Sequence, residues 1–159
     1  MPMFLDDDDR THFCALFIRV LRRAGWACRA FCFMTTHYHL LLDVPAETLQ
    51  AGMHRLNGLY AQGFNVRHDR SGHLFGDRYS HEPVESDGHM LEVLRYIARN
   101  PVEAGLCEKP SDWYWGSYRG CVELDEGFPF VDSTLLRSYF GADRARATEL
   151  IRDFVGDSP

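Results

Sequence analysis

Lysine is almost missing from this chain: Lys109 stands alone, and sixteen of its seventeen basic residues are arginine. Phosphate contacts would therefore be made by guanidinium forks, which suit bidentate bonding; composition alone does not separate that use from a GC-rich genome. Cys-x-x-Cys pairs are absent too. Five cysteines, an odd number, speak against a disulfide framework and for reduced thiols in a cytoplasm. Cys28 and Cys32 read as small apolar residues of a strand. No apolar run approaches the roughly 20 residues of a membrane span, which excludes a membrane protein of that kind. The start lacks the basic region of a leader and instead carries four aspartates, Asp6, Asp7, Asp8 and Asp9. A positive balance is also missing. The net charge of -6 argues against bulk nucleic-acid binding.

What is present is an ordinary globular composition, 45% apolar and 25% charged, of a size that one domain fills. The charge is uneven. Residues 11–30 carry Arg19, Arg22, Arg23 and Arg29 and no acid, while acids gather at residues 6–9 and in the C-terminal third. Phe13, Leu16, Phe17, Val20, Leu21 and Ala24 recur at helical spacing, with the aspartates at the positive end and Gly25 as the stop. Residues 26–34 read as a strand. Residues 37–44 read as a second strand, apolar on both faces in its middle and so central in a sheet. Leu49, Met53, Leu56, Tyr60 and Phe64 predict a second helix to about Arg67. A loop follows, then a third strand over 79–84 at the sheet edge because of Pro83. Ser86 or Asp87 caps a third helix that Pro101 ends near Asn100. Residues 133–155 hold one or two short helices. The order is that of an α+β sandwich of sheet and helices.

Two stretches carry chemistry. In His37-Tyr38-His39 the imidazoles are two apart, so a strand puts both on one face. In Tyr96-Ile97-Ala98-Arg99-Asn100-Pro101 a phenol and an amide sit four apart on a helix. Met90, Leu91, Leu94, Ile97 and Ala98 form that helix's apolar stripe, and Tyr96 points nearly away from it. Each feature alone has an ordinary structural explanation. Together, His37, His39 and Asn100 offer two nitrogens and an amide oxygen to a divalent metal, leaving room for water and phosphate. The amide oxygen and phosphate favour Mg2+ or Mn2+; imidazole favours Zn2+ or Mn2+. A phenol ordinarily ionises near pH ~10, so a nucleophilic tyrosine needs help from a metal or a guanidinium such as Arg99.

Taken with their context, these residues resemble the HUH endonucleases that use a single tyrosine, and within them the REP-associated tyrosine transposases. The resemblance runs from about Phe4 to Tyr118. It rests on Asp7-Asp8-Asp9-Arg10, on residues 33–42 around the histidines, on 71–79 (Ser71-Gly72-His73-Leu74-Phe75-Gly76-Asp77-Arg78-Tyr79), on 94–106 around Tyr96 and Asn100-Pro101, and on Trp115-Gly116-Ser117-Tyr118. It implies a ferredoxin-like sheet with packed helices. It implies Tyr96 as nucleophile, and His37, His39 and Asn100 as ligands of Mg2+ or Mn2+. It implies cleavage and rejoining of single-stranded DNA beside palindromic, REP-like hairpins through a 5′-phosphotyrosine. Arg67, Arg70, Arg78 and Arg99 are then expected DNA contacts, with Phe75 and Tyr79 stacking unpaired bases. The expected organisation is one domain over 1–159, with a catalytic core at about 4–120 and a helical tail at 121–159.

In two respects the chain departs from the family. The usual first strand, which would lie beside the histidine strand, is expected to be missing, and the C-terminal third is acidic. The readings that follow are an active strand transferase, a hairpin binder that does not cut, a truncated relic, and a zinc hydrolase using water. The expected setting is the bacterial cytoplasm and nucleoid, with no membrane, as a monomer or homodimer.

Overall fold

Asp6 sets the start of the first helix. Its side chain accepts from the Asp9 amide at 2.9 Å, satisfying one of the donors that a helix start leaves over. The helix ends where Gly25 takes a left-handed φ of 67°, a conformation glycine adopts without strain. In the computed structural model, which describes residues 1–76 and 78–157, the elements run α1 (Asp7–Ala24), β1 (Ala27–Phe33), β2 (Tyr38–Asp43), α2 (Ala46–Arg67), α3 (Asp87–Glu103), a 3-10 turn (Pro110–Asp112), α4 (Tyr118–Cys121), α5 (Thr134–Ser138) and α6 (Arg144–Val155). This is an α+β fold, and its sheet is a two-stranded antiparallel hairpin. Asp77 of the expected 71–79 motif lies outside the described residues.

The chain forms two compact units. The first comprises residues 1–27, 35–37 and 43–83. Its core is aromatic: Phe4, Phe13, Phe17, Tyr60 and Phe64 are almost fully buried on α1, α2 and the segment before α1. The Phe13 ring meets Phe4 edge-on at 5.4 Å and Tyr60 edge-on at 5.1 Å. Truncating such a ring costs about 3–5 kcal/mol, so Phe13→Ala is the change that would break this unit. The Tyr60 hydroxyl donates to the Met3 carbonyl, and the Met3 and Phe4 amides donate to the Thr35 carbonyl. Residues ahead of α1 are thereby tied to the turn that carries His37. Gly52 is required by Trp26, whose ring would lie 2.2 Å from any added Cβ.

The same unit holds an acidic anchor. Asp9, with 2% of its side chain exposed, accepts from the Leu5 amide at 2.8 Å and from Arg67, and sits 2.8 Å from His68 Nε2. Burial opposes its charge, but His68, the Leu5 amide and Arg67 outweigh that and hold its carboxyl below the usual range. Arg67 also grips both oxygens of Asp6, at 2.7 and 2.8 Å, and pulls that carboxyl down to about 2.

The second unit comprises residues 28–34, 38–42 and the chain from Val84 onward. One face of the hairpin, with Ala30, Cys32, Met34 and Leu41, packs on Leu94, Ile97 and Ala98 of α3, and on Tyr118, Cys121, Leu136, Ile151 and Val155. On the other face Phe31 meets Phe128 edge-on at 4.9 Å and Phe130 at a tilt at 5.2 Å. The outer edge of β1 is covered: Cys32 bridges to Gly116, Cys28 bridges to Val131, and the Phe31 amide donates to Ser117 Oγ.

Four expectations change. Residues 79–84 form no strand, because their backbone makes no ladder with the hairpin. β2 is not a buried central strand. Among the described residues it pairs only with β1, and Leu40 and Leu42 stay half-buried while Leu41 is buried. His37 falls just ahead of β2. Pro101 does not end α3, which runs on to Glu103. A proline near a helix end removes a single intrahelical bond; here the stop is Gly105, at a φ of 69°.

Candidate active site

Helix α3 positions Tyr96 and Asn100. Ser86 caps it by accepting from the His89 amide at 3.1 Å, and its apolar stripe fixes its rotation against the hairpin. That rotation turns Tyr96 outward, 57% exposed, and Asn100 inward, 7% exposed. The two lie one turn apart on α3, yet the phenol is open to solvent while the amide is buried.

β2 supplies the second component. The His39 ring stands edge-on to the Tyr96 ring, with centroids 5.2 Å apart and planes 83° apart. Histidine and tyrosine are thus brought together from segments nearly sixty residues apart. His37 is exposed in the turn before β2, where the neighbouring Thr36 hydroxyl lies 2.9 Å from its Nδ1. Among the described residues no three His, Cys, Asp or Glu side chains gather into a metal site.

The arginines divide. The Arg99 fork bonds Glu103 at 2.8 and 3.1 Å and donates to the Val155 carbonyl at 2.8 Å. It fastens α3 to the end of α6, packed so closely that a Cβ on Gly156 would sit 2.5 Å from it. Arg67 is engaged by Asp6, Asp8 and Asp9. DNA would have to displace these bonds to use either fork. Arg70 lies over the Phe64 ring at 5.8 Å. Arg78 lines a cavity in the first unit together with Phe75 and Tyr79. The sequence reading missed the opposite wall of that cavity, Glu47, Gln50, His54 and Asn57 of α2. A signal was there: those four recur at helical spacing, offset from the apolar stripe.

The family model for IS200-like transposases matches residues 2–100. The chain belongs to that family. Membership carries DNA binding and transposase-type DNA cleavage with it. The match spans His37, His39 and Tyr96 and closes on Asn100. No curated protein and no solved structure matches the chain. Among the described residues of this transposase, no helix is long and apolar enough to cross a membrane.

Proposed function

We propose that this transposase cuts and rejoins single-stranded DNA at palindromic, REP-like hairpins through a 5′-phosphotyrosine on Tyr96. The observation that carries the reading is the perpendicular contact of the His39 and Tyr96 rings, with Asn100 one turn along the same helix. In the forward step the Tyr96 oxygen attacks the scissile phosphorus. A P–O bond forms to the phenol, the P–O3′ bond breaks, and the 3′ oxygen leaves as a hydroxyl once it has taken a proton; the phenol proton passes to solvent. In the reverse step a 3′-hydroxyl attacks the same phosphorus and releases Tyr96, so the bond energy is kept for rejoining.

Exposure of Tyr96 lets a phosphate approach it in line. The donor set of His37, His39 and Asn100, two imidazole nitrogens and an amide oxygen, fits Mn2+ or Mg2+. A metal held there would polarise the phosphate and stabilise charge on the oxygens around phosphorus. Of the four expected arginines, Arg78 is exposed beside the α2 cavity, Arg70 donates to Met1 Sδ and lies over Phe64, and Arg67 and Arg99 hold structure together.

A labelled single-stranded hairpin from the flank of the chain's own gene, incubated with Mn2+, tests this on a denaturing gel. A covalent protein–DNA band that vanishes in Tyr96→Phe is expected. A band that persists in that variant, or cutting without a covalent band, would overturn the mechanism.

A further inference from the structure

Residues 11–30 hold Arg19, Arg22, Arg23 and Arg29 and no acid, and the function proposed above uses none of these arginines. The gap in acid is wider than that stretch. None occurs between Asp9 and Asp43, and none between Glu47 and Asp69. Past their first turns, α1 and α2 of the first unit therefore carry no negative side chain. We infer that the outer face of this helix pair binds the phosphate backbone of double-stranded DNA without reading its sequence. The inference rests on the DNA binding that the family carries and needs nothing of the Tyr96 chemistry.

The packing of the pair brings the charges together. His12 lies against Gly63, its Nε2 2.6 Å from where a Cβ would stand, and the Trp26 ring lies against Gly52 in the same way. The two helices thus run antiparallel. Arg19 and Arg23 follow His12 by seven and eleven residues, so they share its flank of α1, beside α2. In the same register Arg55 of α2 falls level with Arg22 and Arg23. All four arginines are exposed, and none forms an ion pair among the described residues.

Such a cluster brings little structural return. Arg19 and Arg23 stand four apart on one helix, where like charges repel. Arg22 and Arg23 complement the C-terminal end of α1. Arg19 and Arg55 lie outside the last turns of their helices and do not. Other arginines of the unit are neutralised, Arg67 by Asp6, Asp8 and Asp9, and Arg10 by Asp7. In a chain of net charge -6, an open cluster of this kind focuses positive potential on one face.

Charge density and lining select the occupant. Arg19 to Arg23 span about 6 Å of helix axis, and packed helices lie about 8–10 Å apart. Double-stranded DNA carries one charge per about 1.7 Å of its axis, dense enough to engage the four forks together. No Phe, Tyr or Trp is exposed on α1 or α2, so the face cannot stack unpaired bases. No large apolar side chain is exposed beside the arginines, so it lacks the wedge that seats a basic helix in a lipid surface. A duplex backbone needs neither.

The test is the salt dependence of binding to a blunt duplex of arbitrary sequence, without hairpin or single strand, read by fluorescence anisotropy with the full chain. Affinity for B-DNA falls with a log–log slope of about -0.9 per phosphate engaged, so four contacts predict about -3.6, roughly a hundredfold loss between about 50 and 200 mM salt. Arg19→Gln with Arg55→Gln keeps helix propensity at two exposed positions. The melt should hold while the slope falls to about -1.8. Arg144→Gln with Arg146→Gln removes the same charge from exposed positions of α6 and should leave the slope as it was. Equal losses in the two variants would show net charge acting alone and overturn the inference. So would a parent chain that does not bind the duplex, or a slope that ignores Arg19 and Arg55. Binding to phosphatidylserine vesicles in preference to the duplex, lost in the α1–α2 variant, would assign the face to lipid instead.

Adducts of Tyr96 with a single-stranded hairpin are scored apart. A slope that responds to the α1–α2 variant, in a chain that makes no adduct, keeps the duplex face and rejects the tyrosine chemistry. An adduct accompanied by an unresponsive slope does the reverse.

Discussion

Two tyrosines in the second unit have opposite surroundings. Tyr118, 4% exposed at the start of α4, donates its hydroxyl to Asp157 at 3.1 Å. Burial, and then the Asp157 charge, push its phenol far above the ordinary value and lock it as a neutral donor. Asp157 also accepts from Ser111 Oγ at 2.7 Å and from Arg152 at 2.8 Å, so this cluster fastens the C-terminal end of the chain. Tyr96 sits on a helix with most of its ring in solvent and an imidazole beside it. The residue type is the same; what differs is whether a phosphate can arrive and a proton can leave. A phenol used for fastening is buried against an acceptor, while a nucleophile has to stand open.

The comparison is broken most sharply by exchanging the roles. Tyr96→Phe should lower covalent adduct formation by roughly a thousandfold or more, about 4 kcal/mol of barrier, and leave thermal unfolding unmoved because the ring is exposed. Should Tyr118→Phe remove the adduct while Tyr96→Phe keeps it, the assignment is wrong. Next comes the fastening cluster. Asp157→Ala strips the acceptor from Tyr118, Ser111 and Arg152 together, and losing one partner of a buried charged network costs about 3–5 kcal/mol. A urea melt measures this, and a loss below about 1 kcal/mol would mean that the cluster is slack. On the catalytic side, His39→Ala should reduce cleavage and Mn2+ binding by about 10–100-fold, the range seen for perturbed metal sites. Titration calorimetry with Mn2+ reads the binding. If only stability changes, His39 packs against Tyr96 and does nothing more.

How far these outcomes could be seen from sequence depends on distance along the chain. Asp6, Gly25 and Ser86 were legible as helix ends because capping is settled within a few residues. The outward turn of Tyr96 was legible too, since the stripe of Leu94, Ile97 and Ala98 fixes the helix rotation. Pro101 misled because the left-handed Gly105, four residues on, was the true stop. The strand expected at 79–84 failed for a different reason. Its residues suit extended backbone, but a strand exists only where a partner forms a ladder, and that is decided by the fold. Arg67, the last residue of α2, reads as a phosphate contact in the sequence, and only the fold shows that aspartates some sixty residues earlier pair with it. The α2 wall of the cavity was written in the sequence as a polar stripe, yet a polar stripe on a helix ordinarily means solvent, and only the loop opposite makes it the wall of a cavity.

The smallest effect is also the most specific to the contrast between the tyrosines. Tyr118→Phe keeps the ring and loses one donor to Asp157, which still has Ser111 and Arg152, so a cost of about 1 kcal/mol is expected near neutral pH. That cost must depend on pH in one direction. The folded phenol ionises far above an ordinary one, so its contribution is whole below pH ~10 and drains away as pH rises from there, because only the unfolded chain gains the charged form. Tyr60 is raised in the same sense but is present in both chains and cancels. Parallel urea melts of the parent and Tyr118→Phe from pH 8 to 11 should show a gap that closes with pH. A gap that stays constant or widens would mean that Tyr118 is not held neutral by Asp157, and the difference in surroundings would then not support the contrast between a fastening tyrosine and the proposed nucleophile.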